Sequence, residues 1–243
     1  MSHTAVGELW QVEESKIKKI IENGAQKYFD SVSGIVRAFE SSDRSIRCID
    51  EGTPGGIHLA GSGILLNLED AEKVFKAAGA TGVYTHEECG AAKLYAKQEG
   101  LDPEYADEYC REWVNSLSSN IKVPYKGHIS IGEMHRPSGL HTARVAYYDG
   151  TGLFDYSALP ELPAGFTVSR KYLSADYAQK ELEISVSIAL GDHGFNNLFS
   201  ANNPFVIIVL TSSADEVSEL MAEAKLVAQG KEKVRVEGVL VTL

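Results

Sequence analysis

His86 and Cys89 stand three apart in YTHEECGAA (84–92), and Cys48 and Asp50 stand two apart in SIRCID (45–50). A thiolate is a soft donor and an imidazole a borderline one, and two thiolates with one imidazole suit zinc, which favours a tetrahedral shell of nitrogen and sulfur. Three protein ligands leave the fourth position for water or one further residue. A zinc ion in such a shell brings the pKa of its water down to about 7, which yields a nucleophile at neutral pH. The competing reading of an isolated His-x-x-Cys is plainer: an imidazole closing a strand, and cysteines that serve as small core residues. The choice depends on whether Cys48 comes near His86 and Cys89.

The elements between them bear on that. SIRCID reads as a short strand running into EGTPGG, a loop whose glycines and proline exclude regular structure. IHLAGSGILLN follows, extended and interrupted by glycine. LEDAEKVFKAAGA (68–80) reads as a helix, with Asn67 as N-cap, acids in the first turn and Gly79 closing it. TGVYTH is the next strand. Strand, crossover helix and strand make a parallel pair, so both strands end at one edge of the sheet. In open α/β sheets the carboxyl edge is where ligands bind. Cys48 is thereby expected beside His86 and Cys89.

Residues 14–40 place Ile17, Ile20, Ile21, Tyr28, Phe29 and Val32 at helical spacing, with Gly24 and Gly34 predicting one broken helix or two short ones. LDPEYADEYCREWVNSLSSN (101–120) reads as an amphipathic helix with Tyr105, Tyr109, Trp113 and Leu117 along one stripe, and Cys110 as structural. HISIGEMHRPSGLHTARVAYYDGTG (128–152) reads as two strands joined by a Pro-Gly turn, with His135 and His141 as solvent-facing turn residues. A strand-like piece and a helix lead to GDHGFNN (191–197), which reads as a helix-ending turn. Residues 204–243 read as strand, helix, strand. No internal repeat or linker shows. The fold class is α/β, a parallel-cored sheet flanked by helices, and the organisation is a single domain over 1–243: an N-terminal helical arm (1–43), a metal-binding core (44–155) and a C-terminal α/β elaboration (156–243).

The net charge of −11 (23 basic against 34 acidic residues), with no basic run, argues against nucleic acid. No apolar run approaches about 18 residues, so no membrane span is expected. Three cysteines make no disulfide framework, and the N-terminus shows no secretory signal, so a reducing, cytoplasmic setting is expected. TPGGIHLAGSG is glycine-rich but lacks the Lys-Ser/Thr of a P-loop and the spacing of a dinucleotide fingerprint.

CID at 48–50, AGSG at 60–63 and HEECGA at 86–91 together resemble the β-class carbonic anhydrases, whose pattern is Cys-x-Asp-x-Arg, an Ala-Gly-Asn segment and His-x-x-Cys-Gly. RVAYYDGTGLF (144–154) is similar to that family's late strand, and the resemblance covers roughly residues 40–155. It implies one zinc ion held by Cys48, His86 and Cys89, with Asp50 beside it as the catalytic carboxylate. Asp50 would either take the fourth position or accept a hydrogen bond from the zinc-bound hydroxide. The implied reaction is reversible hydration of carbon dioxide to bicarbonate, in a homodimer or higher oligomer. A zinc hydrolase of carbonyl sulfide or carbon disulfide on the same fold, or a non-catalytic zinc-binding relative, are the alternatives.

The chain departs from the pattern in one informative place. Two residues beyond the aspartate the family usually has an arginine that pairs with it; here that position is Gly52. Arg44, Arg47, Arg136 and Arg144 are the candidates to replace it. The helical stretch after HEECGA is shorter than the family's, and the last ninety or so residues fall outside the resemblance. Of Glu87 and Glu88, one is expected to face solvent and the other to orient a ligand.

Overall fold

The computed structural model describes residues 3–242. Helices α1 (His3–Val12), α2 (Glu14–Asn23) and α3 (Ala25–Ser31) form the N-terminal arm, followed by a 3-10 turn at Ile35–Phe39. The break between α2 and α3 falls at Gly24, whose φ of 85° a side chain would resist. The stripe expected from spacing is the buried one: Ile17, Ile20, Tyr28, Phe29 and Val32.

Two four-stranded sheets follow. The first contains β1 (Ser45–Arg47), β2 (Ile57–His58), β3 (Gly82–His86) and β4 (Tyr125–Ile129), in the order β2-β1-β3-β4 and parallel throughout. Helix α4 (Leu68–Ala78) crosses from β2 to β3, and α5 (Gly90–Gln98) and α6 (Ala106–Ile121) lie between β3 and β4. The second contains β5 (Val145–Asp149), β6 (Gly165–Val168), β7 (Phe205–Thr211) and β8 (Val234–Leu240), in the order β6-β5-β7-β8 and again parallel. Helix α7 (Ala175–Leu190) crosses from β6 to β7, and α8 (Ala214–Ala228) from β7 to β8.

The second sheet repeats the strand order and crossover pattern of the first, so the chain contains an internal structural repeat that the sequence does not show. Local devices recur with it. Asp50 Oδ1 accepts from the Gly52 amide at 2.7 Å, and Asp149 Oδ1 accepts from the Thr151 amide at 2.8 Å. Asn67 caps α4 through the Asp70 amide and Ser174 caps α7 through the Tyr177 amide, each just beyond a 3-10 turn, at Ala60–Gly63 and Arg170–Tyr172. YYDGTG therefore opens the second sheet instead of closing the first. The chemistry did not carry across: the sequence from Arg144 onward holds no cysteine and one histidine, His193.

The halves are interlocked. Edge strands β2 and β6 meet: the Ser169 amide donates to the His58 carbonyl at 3.1 Å, and the His58 amide to Ser169 Oγ at 2.9 Å. A third bond runs from the Thr167 amide to the Ile49 carbonyl at 3.0 Å. One apolar cluster takes in Ile46 and Val83 of the first sheet and Ala146, Phe166 and Ile207 of the second. The arm covers the far face of the second sheet, with Ile17, Ile20 and Phe29 in one cluster with Tyr147, Val206 and Ile208. Arg144 pairs there with Glu14, its guanidinium 3.5 Å from the Trp10 ring centroid.

Three expectations are corrected. The strand expected at 45–50 ends at Arg47, which leaves Cys48 and Asp50 in the loop beyond it. The two strands expected within 128–152 are β4 and β5, which lie in different sheets and form no hairpin. In α6 the buried stripe is Ala106, Cys110, Val114 and Leu117; of the stripe expected, Leu117 is buried, Trp113 packs against the core only partly buried, and Tyr105 is exposed. No helix among the described residues is long and apolar enough to cross a membrane.

Because one apolar cluster spans both sheets, the chain is expected to unfold as a single cooperative unit. Calorimetry and near-ultraviolet circular dichroism should show one coincident transition. Two resolved transitions would mean that the halves are stable separately.

Candidate metal centre

Cys48 lies one residue past β1, where it is fixed from several directions. The His58 ring nitrogen Nδ1 lies 2.7 Å from its carbonyl oxygen, and Thr53 Oγ1 donates to the same carbonyl at 3.2 Å. The Gly61 amide donates to Cys48 Sγ at 3.2 Å, which is the contribution of the AGSG segment. Gly61 has φ 54° and faces Ala91, and a Cβ there would come within 2.7 Å of Ile64. Cys110 reaches the same segment from behind, its Sγ 3.6 Å from the Gly61 carbonyl.

His86 ends β3 and Cys89 precedes α5, so the parallel β1–β3 pairing sets both beside Cys48, as the crossover requires. The three residues are buried, with ligand atoms within 4.8 Å of one another. The sulfurs of Cys48 and Cys89 are 4.0 Å apart; two sulfurs on one tetrahedral zinc ion would lie about 3.8 Å apart. His86 Nδ1 is 2.8 Å from the Glu87 carbonyl, a bond that needs its proton and leaves Nε2 as the nitrogen that could ligate a metal in exchange for a proton. Nε2 is buried without a hydrogen-bond partner. This unpartnered buried nitrogen facing two thiols fits a metal ion of the zinc type.

Asp50 is buried, its Oδ2 4.0 Å from His86 Nε2. Its arginine is Arg136, from the loop after β4: Nε donates to Oδ1 at 2.9 Å and to Oδ2 at 3.1 Å. The other candidates are engaged elsewhere, Arg44 on the Gly152 carbonyl, Arg47 on Asp43 and Arg144 on Glu14. Gly52 now has a physical reason. A Cβ there would lie 2.5 Å from Met134 Cε and 3.0 Å from both Arg136 Cγ and Asp50 Oδ1, so the missing side chain makes room for the arginine that reaches in. Burial opposes ionisation of Asp50, but His86, His141 and Arg136 hold it well below the usual carboxylate range.

Both glutamates of HEEC hold the Arg136 loop, where one was expected to face solvent. Glu87 Oε2 accepts from the Ile131 amide at 2.6 Å. Glu88 sits at φ 58°, unusual for a residue with a side chain, and its carboxylate takes Ser138 Oγ, the Gly139 amide at 2.9 Å and Arg136 Nη1 at 3.3 Å.

His135 is exposed as expected, but His141 is not a surface turn residue. It is 8% exposed and its Nδ1 lies 2.9 Å from Glu51 Oε2. Burial would lower its pKa, but Glu51 and then Asp50 raise it. The sequence carried no periodic signal for this contact, and the turn composition around His141 pointed outward. Asp50, Glu51 and His141 are close enough to suggest a second metal group. Their lone pairs are already used, however: Glu51 Oε1 accepts from the Thr142 amide at 2.6 Å and Asp50 from Gly52 and Arg136. They form a hydrogen-bonded support for the first group.

A cavity of about 10 Å³ adjoins the cluster, lined by Cys48, Asp50 and His141 and by apolar Ile49, Phe166, Ile184 and Ile188. The last three come from the second half of the chain. An outer cleft of about 180 Å³ shares His141, Gly90 and Ile188 with it and adds Glu88, Lys93, Arg136 and His193. His193 thus lies at the cleft, in the turn where the sequence placed it. No protein-family model, curated protein or solved structure matches the chain.

Two outcomes are expected. Arg136→Ala leaves a buried carboxylate without its cation and should cost about 3 kcal/mol in chemical denaturation; an unchanged midpoint would mean that the pair is not formed. Metal affinity should climb with pH. Without metal, burial alone would lower the His86 pKa, but Cys48 and Asp50 raise it to about 9, and burial followed by Cys89 pushes the Cys48 thiol up. A metal must displace these protons, so its affinity should rise by at least about tenfold per pH unit from pH 6 to 8. Chelator competition giving a flat profile would contradict this.

Proposed function

We propose that the chain is a zinc-dependent enzyme that hydrates carbon dioxide reversibly to bicarbonate, with Cys48, His86 and Cys89 as the metal ligands. The observation that carries this is the Asp50–Arg136 pair beside the three candidate ligands: a carboxylate buried next to His86 Nε2 yet held by a cation. A merely structural site gains nothing from such a group, since structural zinc is closed by four protein ligands.

The ion would supply Lewis acidity and a water with a pKa of about 7. Asp50, kept ionised by its surroundings, is the acceptor that orients the attacking oxygen through its remaining proton. The apolar wall of Phe166, Ile184 and Ile188 suits a small uncharged molecule. Water adds to carbon dioxide, and bicarbonate and one proton result. His141 lines both the inner cavity and the outer cleft and is the titratable group placed to take that proton outward, with Glu51 fixing its ring. Phe166 and α7 belong to the second half of the chain, so both halves contribute to the walls of the site.

Stopped-flow hydration of carbon dioxide by zinc-loaded protein tests this. Activity is expected near neutral pH, and Asp50→Ala should keep one zinc per chain while losing at least about a hundredfold in kcat. Zinc-loaded protein without hydration activity at any pH would overturn the proposal. An Asp50→Ala variant as active as the parent would make Asp50 a blocking ligand instead.

A further inference from the structure

A cavity of about 920 Å³ lies between α5 and α7 and shares Gly90, Ile184 and Ile188 with the small cavity beside Cys48. Its apolar wall is Leu65, Leu94, Ile184 and Ile188, each only partly buried. Glu181 also lines it, and this carboxylate has no role in the metal centre. It is 3% exposed, and apart from the influence of the Ala60 backbone amide neither oxygen has a hydrogen-bond partner of normal geometry. Buried polar groups in native proteins are almost always partnered, so such a carboxylate calls for an occupant that donates to it. The remaining charged groups of the lining are Glu183 and Asp192 against Lys180, with His193 and Tyr177 as the other titratable side chains. Lys180 is already drawn to the Tyr177 ring, 5.5 Å from its centroid.

We propose that this cavity is a binding site for a small organic ammonium ion with an apolar body, its charge received by Glu181. The volume lies in the range of small-molecule sites. The apolar walls fit an alkyl or aryl chain, while the acidic side chains at the opening favour a cation over an anion. Burial pushes the Glu181 carboxyl up to about 8, against the Ala60 backbone amide, which lowers it. At neutral pH this carboxyl therefore holds a proton, and an arriving ammonium must release it to solvent.

The probe is hexylammonium chloride, titrated calorimetrically into zinc-loaded full-length protein at pH 7 in two buffers of different ionisation enthalpy. The expected result is one amine per chain, with a buffer-dependent heat that reports proton release. Neutral hexanol should bind at least about tenfold more weakly, because a charge-assisted hydrogen bond is lost. Glu181→Gln should weaken the amine by a similar factor, leaving hexanol binding and zinc content unchanged. Absence of amine binding, equal binding of hexanol, or an unaffected Glu181→Gln variant would each overturn the proposal. If Glu181→Gln fails to fold, Leu94→Trp fills the cavity from its partly exposed wall; amine binding that survives this change overturns the proposal equally.

Discussion

The contact on which the site depends is the ion pair between Asp50 and Arg136, joined across 86 positions of sequence. A carboxylate buried this deeply needs a cation, and truncating one partner of such a pair is far costlier than the pair is stabilising. Everything around it serves that approach. Gly52 leaves the space, and Glu88 takes Nη1 of the same guanidinium while binding Ser138 and the Gly139 amide. Glu87 holds the Ile131 amide, at the start of the same loop. The irregular segment after β4 is therefore held by carboxylates that flank the candidate metal ligands, which couples the shape of the loop to the geometry of His86 and Cys89.

The repeated sheet explains why the chain needs its second half. Parallel sheets are covered on both faces, and three- and two-residue strands such as β1 and β2 offer little backbone pairing of their own. Edge-to-edge bonds with β6 and the shared apolar cluster supply what the first sheet lacks. In return the arm that precedes the first sheet covers the second. The two halves have divided the labour: one retains the thiols and the imidazole, and the other contributes Phe166, Ile184 and Ile188 to the wall in front of them.

What the sequence disclosed and what it concealed follow from the range of the forces involved. The approach of Cys48 to His86 and Cys89 was legible because a parallel crossover fixes it locally, through Asn67, Gly79 and the helix between them. The break at Gly24 was legible because a single residue's backbone freedom determines it. Arg136 was one of four candidates, and nothing in the spacing could choose among them, since the choice depends on where the loop after β4 returns. His141 was misread because its neighbours are turn formers, while its burial comes from Glu51, ninety residues away in sequence. The repeat escaped notice because topology survived without sequence: YYD stands where CID stood, and only the aspartate with its bond to the amide two residues on is common to both. In α6 the helical period was right and Leu117 is buried as expected, but the buried face passes through Ala106, Cys110 and Val114 instead of the aromatic residues beside them.

The charges at the site can be grouped by their partners. Asp50 faces Arg136, and Glu51 faces His141, whose pKa that carboxylate raises against the effect of burial. Two thiolates would balance one divalent cation. Each anionic group thus has a basic or cationic partner, which is the arrangement a buried site can tolerate, since unpaired charge in a low-dielectric interior is strongly disfavoured. The inner wall is apolar and the lining of the outer cleft is polar, with Lys93, Arg136, His141 and His193 against Glu88. An uncharged reactant is at home in the first and an anion in the second. A reaction that turns one into the other would therefore be drawn outward along the same gradient of polarity that admits its substrate.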